Sequence, residues 1–196
     1  DLHSFPTRRS SDLWITPGNA GISGVADCVD VAAEDMDGIC EFARSKCVDL
    51  AVIGPEVPLS MGITDRLEAE GIKTFGPNAK CAQLEASKAF TKAFLARHGI
   101  PTAKYREFTD KEELKKAIGI YGYPMVIKAD GLAAGKGVVL AENAAEAETA
   151  IESMMGEKVF GDAGDRIVVE ECLVGVEASM LFIQRSEERR VGKECR

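Results

Sequence analysis

The sequence predicts two folded units: an α/β unit with a parallel sheet, followed by an α+β unit with its elements in the order β-α-β-β-α-β. Two observations support this prediction. Residues 14–53 run through a short strand, a helical pattern and a nearly continuous apolar stretch, which is the rhythm of a parallel β-α-β unit. Residues 126–140 instead form two short apolar runs joined by a glycine-rich turn, which is typical of a β-hairpin.

The first unit is predicted to open with a strand at residues 14–16. Apolar residues recur at helical spacing between positions 36 and 47, and residues 48–53 (VDLAVI) have the composition of a buried strand. A further helix ends at Gly71, and a strand follows at residues 72–75. One long helix is then expected from Asn78, its cap, to about His98.

The second unit begins after Pro101, where the pattern changes. Its helices each begin with a capping box, in which a cap residue is followed three residues later by a glutamate, as in Asp110 with Glu113 and Asn143 with Glu146. The predicted elements are a strand at 102–108, a helix at 110–122, the two hairpin strands, a helix at 143–156 and a strand at 167–173.

The glycine-rich turn of the hairpin is a candidate phosphate site. Gly131, Gly135 and Gly137 allow backbone N–H groups to approach an anion, and Lys128 and Lys136 supply positive charge. The turn is one residue shorter than a Walker A loop and lacks the Ser or Thr that binds magnesium there. Because a strand follows, we expect a mobile flap that closes over a nucleotide; a hairpin with solvated lysines is the alternative.

Three other features are candidate sites with plain structural alternatives. Residues 17–21 (PGNAG) follow a strand and could offer backbone N–H groups to an anion. Residues 54–59 (GPEVPL) place Glu56 at the carboxyl end of a strand, where α/β sheets bind ligands, unless the two prolines only form a rigid turn. Lys88 and Lys92 lie one helical turn apart and could reach a single anion, or could belong to a solvated helix face.

The composition restricts the class of protein. With 196 residues and 45% hydrophobic content the chain can bury a core, and its net charge of −8 speaks against a general nucleic-acid or membrane-surface binder. No apolar run approaches the roughly 20 residues of a membrane span, which predicts a soluble cytoplasmic protein. The six cysteines lack metal-binding spacing and sit mostly among apolar residues, which predicts buried reduced thiols.

Both ends of the chain differ from its interior. Residues 1–13 have neither helical nor strand periodicity, and residues 184–196 are rich in Arg and Glu. This contrast predicts that both segments are foreign or disordered. The informative chain is then residues 14–183.

Seven motifs carry a family resemblance. They are PGNAG at 17–21, GPEVPL at 54–59, FGP at 75–77, QLEASKAFTK at 83–92, KADGLAAGKG at 128–137, FGDAG at 160–164 and EECLVGVEAS at 170–179. Together, and in this order, they resemble the ATP-grasp enzymes and, among them, the phosphoribosylamine–glycine ligase family. The resemblance covers nearly all of residues 14–183 and neither terminal segment.

The resemblance implies a domain organisation. It implies a partial Rossmann-like N-terminal substrate domain with a parallel sheet at residues 14–78, and the start of a central ATP-grasp domain at 79–105. An ATP-grasp lid would occupy residues 106–175, with a return to the central domain at 176–183. The family opens with a strand and a Gly-rich turn that residues 1–13 replace here, so the sheet is expected to lack one strand.

The resemblance also implies where ATP and the substrates bind. Lys88 and Lys128 would contact the phosphates, and the segment from Gly131 through Lys136 to Gly137 would form the flap. The adenine would lie against Glu170, Glu171 and Leu173, and the ribose hydroxyls would be accepted by Glu177. The candidate contacts to 5-phosphoribosylamine are Gly18, Asn19, Gly21, Gly54, Pro55 and Glu56.

The implied reaction is an ATP-dependent carbon–nitrogen ligation. The glycine carboxylate becomes an acyl phosphate, and the amine of 5-phosphoribosylamine attacks it to give glycinamide ribonucleotide, ADP and phosphate. ATP and Mg²⁺ are the implied cofactors. The family's acidic magnesium ligands lie beyond residues 179–183, which predicts no metal site in this chain and no activity of the chain alone. The alternatives are another ATP-grasp carboxylate–amine ligase and a non-catalytic nucleotide-binding module.

Overall fold

The computed structural model describes residues 13–133 and 136–180. The predictions for residues 1–12 and 184–196 therefore concern segments outside this part. No helix in the described part has the length and apolar character that a membrane-spanning helix needs. The elements of the first unit are β1 (Trp14–Ile15), β2 (Asp27–Cys28), α1 (Met36–Ser45), β3 (Leu50–Val52), α2 (Glu56–Ser60), α3 (Ile63–Ala69) and β4 (Lys73–Phe75).

Two helices and the second unit follow. The order of elements in the second unit is β-α-β-β-α-β, which confirms the prediction. The elements are α4 (Ala79–Ala86), α5 (Lys88–Arg97), β5 (Tyr105–Phe108), α6 (Lys111–Lys116), β6 (Met125–Ala129), β7 (Val138–Ala141), α7 (Ala144–Ile151) and β8 (Ile167–Glu171).

The strands of the first unit are parallel, as predicted, but they form two separate pairs. β1 pairs with β2, and β3 pairs with β4. The sequence pattern does not predict β2, because its two residues show neither alternation nor an apolar run. Helices α1 to α4 and the inner face of β3 enclose the core of this unit, whose buried members are Met36, Cys40, Ala43, Leu59, Ile63, Leu67, Ile72 and Ala82.

The prediction that residues 48–53 form a buried strand is wrong for one face of β3. Leu50 and Val52 are 51% and 67% exposed, and Phe75, the partner of Val52 in β4, is 50% exposed. Alternation along the strand turns Ala51 and Ile53 to the opposite face, where they pack on the core. This outer face is thus largely open to solvent in the described part of the chain. The apolar run therefore predicts the strand correctly, but it predicts burial correctly for only one of the two faces of the strand.

The single long helix predicted for residues 78–98 is also wrong. The structure divides it at Ser87, whose extended backbone (φ −128°, ψ 117°) ends α4 and begins α5. The Ser87 hydroxyl accepts a hydrogen bond from Phe90 N, so this serine is the N-cap of α5. Asn78 caps α4 as expected, with its side chain accepting from Cys81 N.

The second unit is built on a four-stranded antiparallel sheet. Its strand order is β5-β8-β6-β7, so the hairpin strand β6 and the last strand β8 lie at the centre. The predicted hairpin is confirmed by the pairing of β6 with β7. Helices α6 and α7 cover one face, where the buried core includes Phe108, Leu114, Met125, Ile127, Ile151, Met154, Ile167 and Val169.

Both predicted caps of this unit are confirmed, but the first helix is shorter than expected. The Asp110 side chain accepts from Glu113 N, and the Asn143 side chain accepts from Glu146 N. Helix α6 ends at Lys116, and turns follow, including Gly119 at φ +80°. A glycine in the left-handed conformation ends a helix, so α6 stops before Gly122, the residue at which the sequence predicts its end.

The cysteines are less buried than predicted. Cys40 is buried in α1, as expected, whereas Cys28, Cys47 and Cys81 are exposed. Cys47 lies beyond the end of α1 at φ +51°, so the helical spacing that suggested its burial does not extend to it. In the described part, the five cysteine thiols are free. The burial prediction is therefore wrong for three of them.

We expect Ile127→Ala to lower the free energy of unfolding by about 2–5 kcal/mol, because Ile127 is fully buried in the central strand β6. Val138→Ala is the matched control in β7, where the side chain is 44% exposed, and should cost about 1 kcal/mol or less. Urea denaturation followed by circular dichroism measures both. Equal losses in the two variants would contradict the central position of Ile127.

Candidate functional site

The candidate site is a cleft of about 330 Å³ between the hairpin and helix α5. A larger hollow of about 430 Å³ lies beside α6, where Arg106 and Glu113 pair with each other. We assign the site to the smaller cleft because the lysine-bearing motifs meet there. Its described lining includes three lysines and three glutamates: Lys88, Lys92, Lys128, Glu56, Glu85 and Glu170.

Lys88 is the first residue of α5 and reaches the start of the glycine-rich turn. Its Nζ donates a hydrogen bond to Gly131 O at 2.8 Å. Partial burial lowers the pKa of the Lys88 ammonium below its ordinary value; the nearby Asp130 carboxylate opposes this shift, and the charge of Lys128 adds to it. Lys88 is thus a partly desolvated cation on the wall of the cleft.

Lys128 faces the cleft because of its position in strand β6. Met125, Ile127 and Ala129 alternate into the core, so Lys128 points to the opposite face. In the neighbouring strand β8, Glu170 is on the same face, opposite Val126 in the register. The diagonal spacing brings Lys128 Nζ to 3.0 Å from Glu170 Oε1. This oxygen is buried and receives the ionic contact, but no hydrogen bond of acceptable geometry from the described residues.

Lys92 behaves differently from Lys88, although the two lie one turn apart on α5. Lys92 is only 7% exposed, so the solvated-face alternative is wrong for it. Its Nζ lies 2.9 Å from Glu170 Oε2 and donates hydrogen bonds to Thr102 Oγ1 and Ala103 O. Glu170, itself 5% exposed, therefore holds one lysine with each carboxylate oxygen.

A second acidic side chain links the turn to helix α5. Asp130, the residue after β6, accepts from Ser87 Oγ at 3.1 Å and from Ala89 N at 3.1 Å. A carboxylate at the first N–H groups of a helix satisfies unpaired donors and interacts favourably with the helix dipole. Asp130 and Lys88 together therefore fasten the base of the glycine-rich turn to α5.

The glycines of the turn have identifiable reasons to lack a side chain. Gly131 has φ +130°, a conformation that L-residues with side chains rarely adopt. A Cβ on Gly137 would lie 2.7 Å from Ala133 Cβ, so the turn closes tightly only with glycine there. Lys136 is exposed and does not line the cleft, and the prediction for Gly135 lies outside the described residues.

Of the candidate substrate residues in the first unit, Glu56 alone belongs to the described lining of the cleft. It begins α2, directly after Gly54 and Pro55, which are exposed. Gly18, Asn19 and Gly21 are not among the described residues that line the cleft. Within their loop, Asn19 Oδ1 accepts hydrogen bonds from Gly21 N at 3.0 Å and from Ile22 N at 3.1 Å. These two N–H groups are therefore already occupied.

The remaining candidates, Glu171, Leu173 and Glu177, lie at the end of β8 and in the segment that follows it. Glu171 accepts hydrogen bonds from Lys104 N at 2.9 Å and Lys104 Nζ at 3.1 Å, and these bonds, the backbone one first, lower the pKa of its carboxyl group. Leu173 is 69% exposed, and Glu177 is also exposed, in a segment at 172–180 without helix or strand. None of these three belongs to the described lining of the cleft.

The structure adds residues that sequence reasoning missed. Asp130 and Ser87 are polar residues inside the two lysine-bearing motifs at 128–137 and 83–92. The signal that could identify them is the position of Asp130 at a strand end and of Ser87 just before a lysine-bearing helix, although 43 residues separate the two. No cluster of three or more His, Cys, Asp or Glu side chains in the described part is placed to hold a metal ion.

Comparison with known proteins gives a consistent picture. The sequence matches two family models of phosphoribosylglycinamide synthetase: the N domain over residues 5–85 and the ATP-grasp (A) domain over residues 86–193. A phosphoribosylamine–glycine ligase of Xanthomonas axonopodis pv. citri is 51% identical over 175 residues, which are 88% of this chain and 41% of that protein. The chain therefore spans about two fifths of this relative's length.

Solved structures agree with these matches. A phosphoribosylamine–glycine ligase of Thermotoga maritima superimposes with a TM-score of 0.65 at 30% identity, over 83% of this chain and 38% of that one. The biotin carboxylase domain of the Hydrogenobacter thermophilus 2-oxoglutarate carboxylase, solved with MgADP and bicarbonate, gives a TM-score of 0.62 at 24% identity. That match covers 76% of this chain and 34% of that one, and it shows a shared fold alone.

We expect Asp130→Ala to lower the free energy of unfolding by about 1–3 kcal/mol, because Ser87 Oγ and Ala89 N both lose their acceptor. Asp130→Asn is the matched control and should cost less, since its amide oxygen can still accept from Ala89 N. Thermal and urea unfolding measure the two losses. If both variants were as stable as the wild type, Asp130 would not cap α5 in solution.

Proposed function

Because the chain belongs to the phosphoribosylglycinamide synthetase family, we propose that it provides the ATP-binding part of a ligase that joins glycine to 5-phosphoribosylamine. The proposed products are glycinamide ribonucleotide, ADP and phosphate. Since the chain spans 41% of the Xanthomonas relative, the complete reaction is proposed for a protein that also contains the unmatched part. We propose a cytoplasmic location, in keeping with small soluble substrates.

The observation that supports this function best is the convergence of Lys88 and Lys128 on one cleft. They come from α5 and β6, elements far apart in the sequence, and both lie beside the glycine-rich turn. ATP carries about four negative charges at neutral pH, and the transferring phosphoryl group needs cations around its oxygens. Two lysines that project into a shared cleft suit that requirement, whereas a purely structural hairpin does not need them there.

The proposed chemistry begins with activation of a carboxylate, which is a poor electrophile. Bound ATP would supply the phosphoryl group that turns the glycine carboxylate into an acyl phosphate. Lys88 and Lys128 would donate hydrogen bonds to phosphate oxygens and offset their charge. The turn that begins at Gly131 would cover the cleft and keep water from the reactive intermediate. The attacking amine would be that of 5-phosphoribosylamine.

We propose separate regions for the other parts of the substrates. The strand end at Glu170, Glu171 and Leu173 would hold the adenine through backbone groups, with Glu177 near the ribose. The loop at residues 54–56 would contact 5-phosphoribosylamine, which is supported by the presence of Glu56 in the cleft lining. The loop of Gly18, Asn19 and Gly21 has the same proposed role with weaker support, because its N–H groups are engaged by Asn19.

Magnesium is part of the expected chemistry of this family, and we propose that its acidic ligands lie in the part of the relatives that this chain does not span. In residues 13–133 and 136–180, no group of three or more His, Cys, Asp or Glu side chains is placed to hold a metal ion.

We expect the 196-residue chain to bind ATP, and Lys128→Ala and Lys88→Ala each to weaken that binding about tenfold or more, because each removes a charged hydrogen-bond donor. Isothermal titration calorimetry measures the affinities. Lys115→Ala is the control, since Lys115 pairs with Glu152 on the surface, away from the cleft. Thermal unfolding confirms that each variant is folded. Wild-type affinity in both cleft variants would refute the proposed phosphate site.

The ligase function is tested in a chimera in which this chain replaces the matching part of the Xanthomonas axonopodis relative. We expect ADP release that requires both glycine and 5-phosphoribosylamine, and a loss of about 100-fold or more in the Lys128→Ala chimera, because a preorganised donor to the transferring phosphoryl group is removed. The chain alone should give no turnover. ADP release by the chimera without glycine would favour a different ATP-grasp ligase, and nucleotide binding without any turnover would favour a non-catalytic module.

A further inference from the structure

We propose that Lys92 is a positioning residue for phosphate binding in the cleft, acting on Lys128 through the carboxylate they share. Lys92 holds Glu170, and Glu170 in turn orients Lys128 toward the cleft. The ligand class is a polyphosphate anion, and the inference rests on the proposed function because it takes the cleft as a phosphate site. It separates the three cleft lysines into two that contact the ligand and one that does not.

The contacts of Lys92 leave it little capacity to bind a ligand. An ammonium group has three N–H donors. The Nζ atom of Lys92 contacts three oxygens, Glu170 Oε2 at 2.9 Å, Thr102 Oγ1 at 2.7 Å and Ala103 O at 3.3 Å. Its side chain is also among the most buried charged groups described, at 9% exposure. Lys92 borders the cleft, but its ammonium group is directed to these three protein oxygens.

Lys128 has the opposite character. Its side chain is 26% exposed, and within residues 13–133 and 136–180 its Nζ contacts a single oxygen, Glu170 Oε1 at 3.0 Å. This contact is an ion pair and not a hydrogen bond, so within the described residues the N–H donors of Lys128 remain for a ligand. The single contact fixes the direction of a long side chain that would otherwise sample many rotamers, and a fixed donor loses less entropy when an anion binds.

The shared carboxylate makes the two lysines interdependent. Glu170 carries one negative charge between two positive charges, so the group of three has a net charge of +1, which attracts an anion. If Lys92 is replaced by an uncharged residue, Lys128 becomes the sole partner of a buried carboxylate. A buried charge with one partner holds that partner tightly, since the alternative is an unpaired ion in a medium of low polarity. Lys128 would then be held more tightly by Glu170 and would bind phosphate less well, an effect that requires the charge on Glu170.

Two alternative roles for Lys92 make different predictions. As a direct ligand, it would contribute to phosphate affinity whether or not Glu170 is charged. As a purely structural link between α5 and the segment before β5, it would affect stability and leave affinity unchanged. A double-mutant cycle with Glu170 distinguishes these roles, because coupling between two residues appears as non-additivity.

The test measures binding of inorganic triphosphate, which has no base or ribose, to the full chain by calorimetry. The variants are Lys92→Met, Glu170→Gln, the double variant Lys92→Met/Glu170→Gln, and Lys92→Arg. We expect Lys92→Met to weaken triphosphate binding about tenfold. In the Glu170→Gln background, the same substitution should change the affinity less than about threefold. The difference between these two effects measures the coupling between Lys92 and Glu170, which is expected for charged residues in contact. Lys92→Arg keeps the charge and should recover part of the affinity.

Each outcome decides the proposal. Equal losses from Lys92→Met in the two backgrounds would identify a direct ligand and overturn the positioning role. Unchanged triphosphate affinity in Lys92→Met would show that Lys92 is a purely structural link and would overturn the positioning role. If Lys92→Met alone fails to fold, the comparison of the double variant with Glu170→Gln still decides, because replacing both partners of a buried ion pair is commonly tolerated. In that comparison, a large loss of triphosphate affinity when Lys92→Met is added to Glu170→Gln refutes the proposal.

The same titrations separate this inference from the proposed function. A folded chain that binds ATP but not triphosphate would keep the nucleotide-binding function and overturn the role of Lys92. If the wild-type chain binds both ATP and triphosphate, and Lys92→Met binds them with the same affinity, the nucleotide-binding function is kept and the role of Lys92 is overturned. Failure of the wild-type chain to bind either ligand would overturn both proposals.

Discussion

The pairing of one buried carboxylate with two lysines is the constraint on which the candidate site depends. Glu170 belongs to strand β8, Lys128 to strand β6 and Lys92 to helix α5, so a single charge joins a helix to the two central strands of the sheet. A buried charge is tolerated only when it is paired. The groups that line the cleft therefore also fix the position of α5 against the sheet, and the geometry of the site cannot change independently of the packing.

The antiparallel register explains why these groups meet. Residues alternate between the two faces of a strand, so the face of β6 that does not enter the core carries Lys128, and the matching face of β8 carries Glu170. The core face of the same strands is apolar and fully buried against α6 and α7. One strand pair thus provides the hydrophobic centre of the unit on one side and the charged wall of the cleft on the other.

Local signals predicted much of this fold, and long-range contacts account for the rest. The hairpin, the capped helices after Asp110 and Asn143 and the parallel pairing of the first unit follow from alternation, cap residues and apolar runs. The break at Ser87 combines a local cap, the bond from Phe90 N, with a contact to Asp130, 43 residues away, that its neighbours in sequence do not reveal. In the site, motif spacing marked Lys88, Lys92 and Lys128 as basic residues near a phosphate loop. Only the three-dimensional contacts separate the buried Lys92 from the other two.

The helix break at Ser87 has a consequence for native-state dynamics. The N–H group of Ala89, in the first turn of α5, donates to Asp130, which directly precedes the glycine-rich turn. A fluctuation that lifts the base of the hairpin away from α5 removes Asp130 from this N–H group and exposes it to solvent exchange. The turn and the first turn of the helix therefore open as one cooperative unit, and breathing of the hairpin is recorded as fraying of a helix 41 residues earlier in the chain.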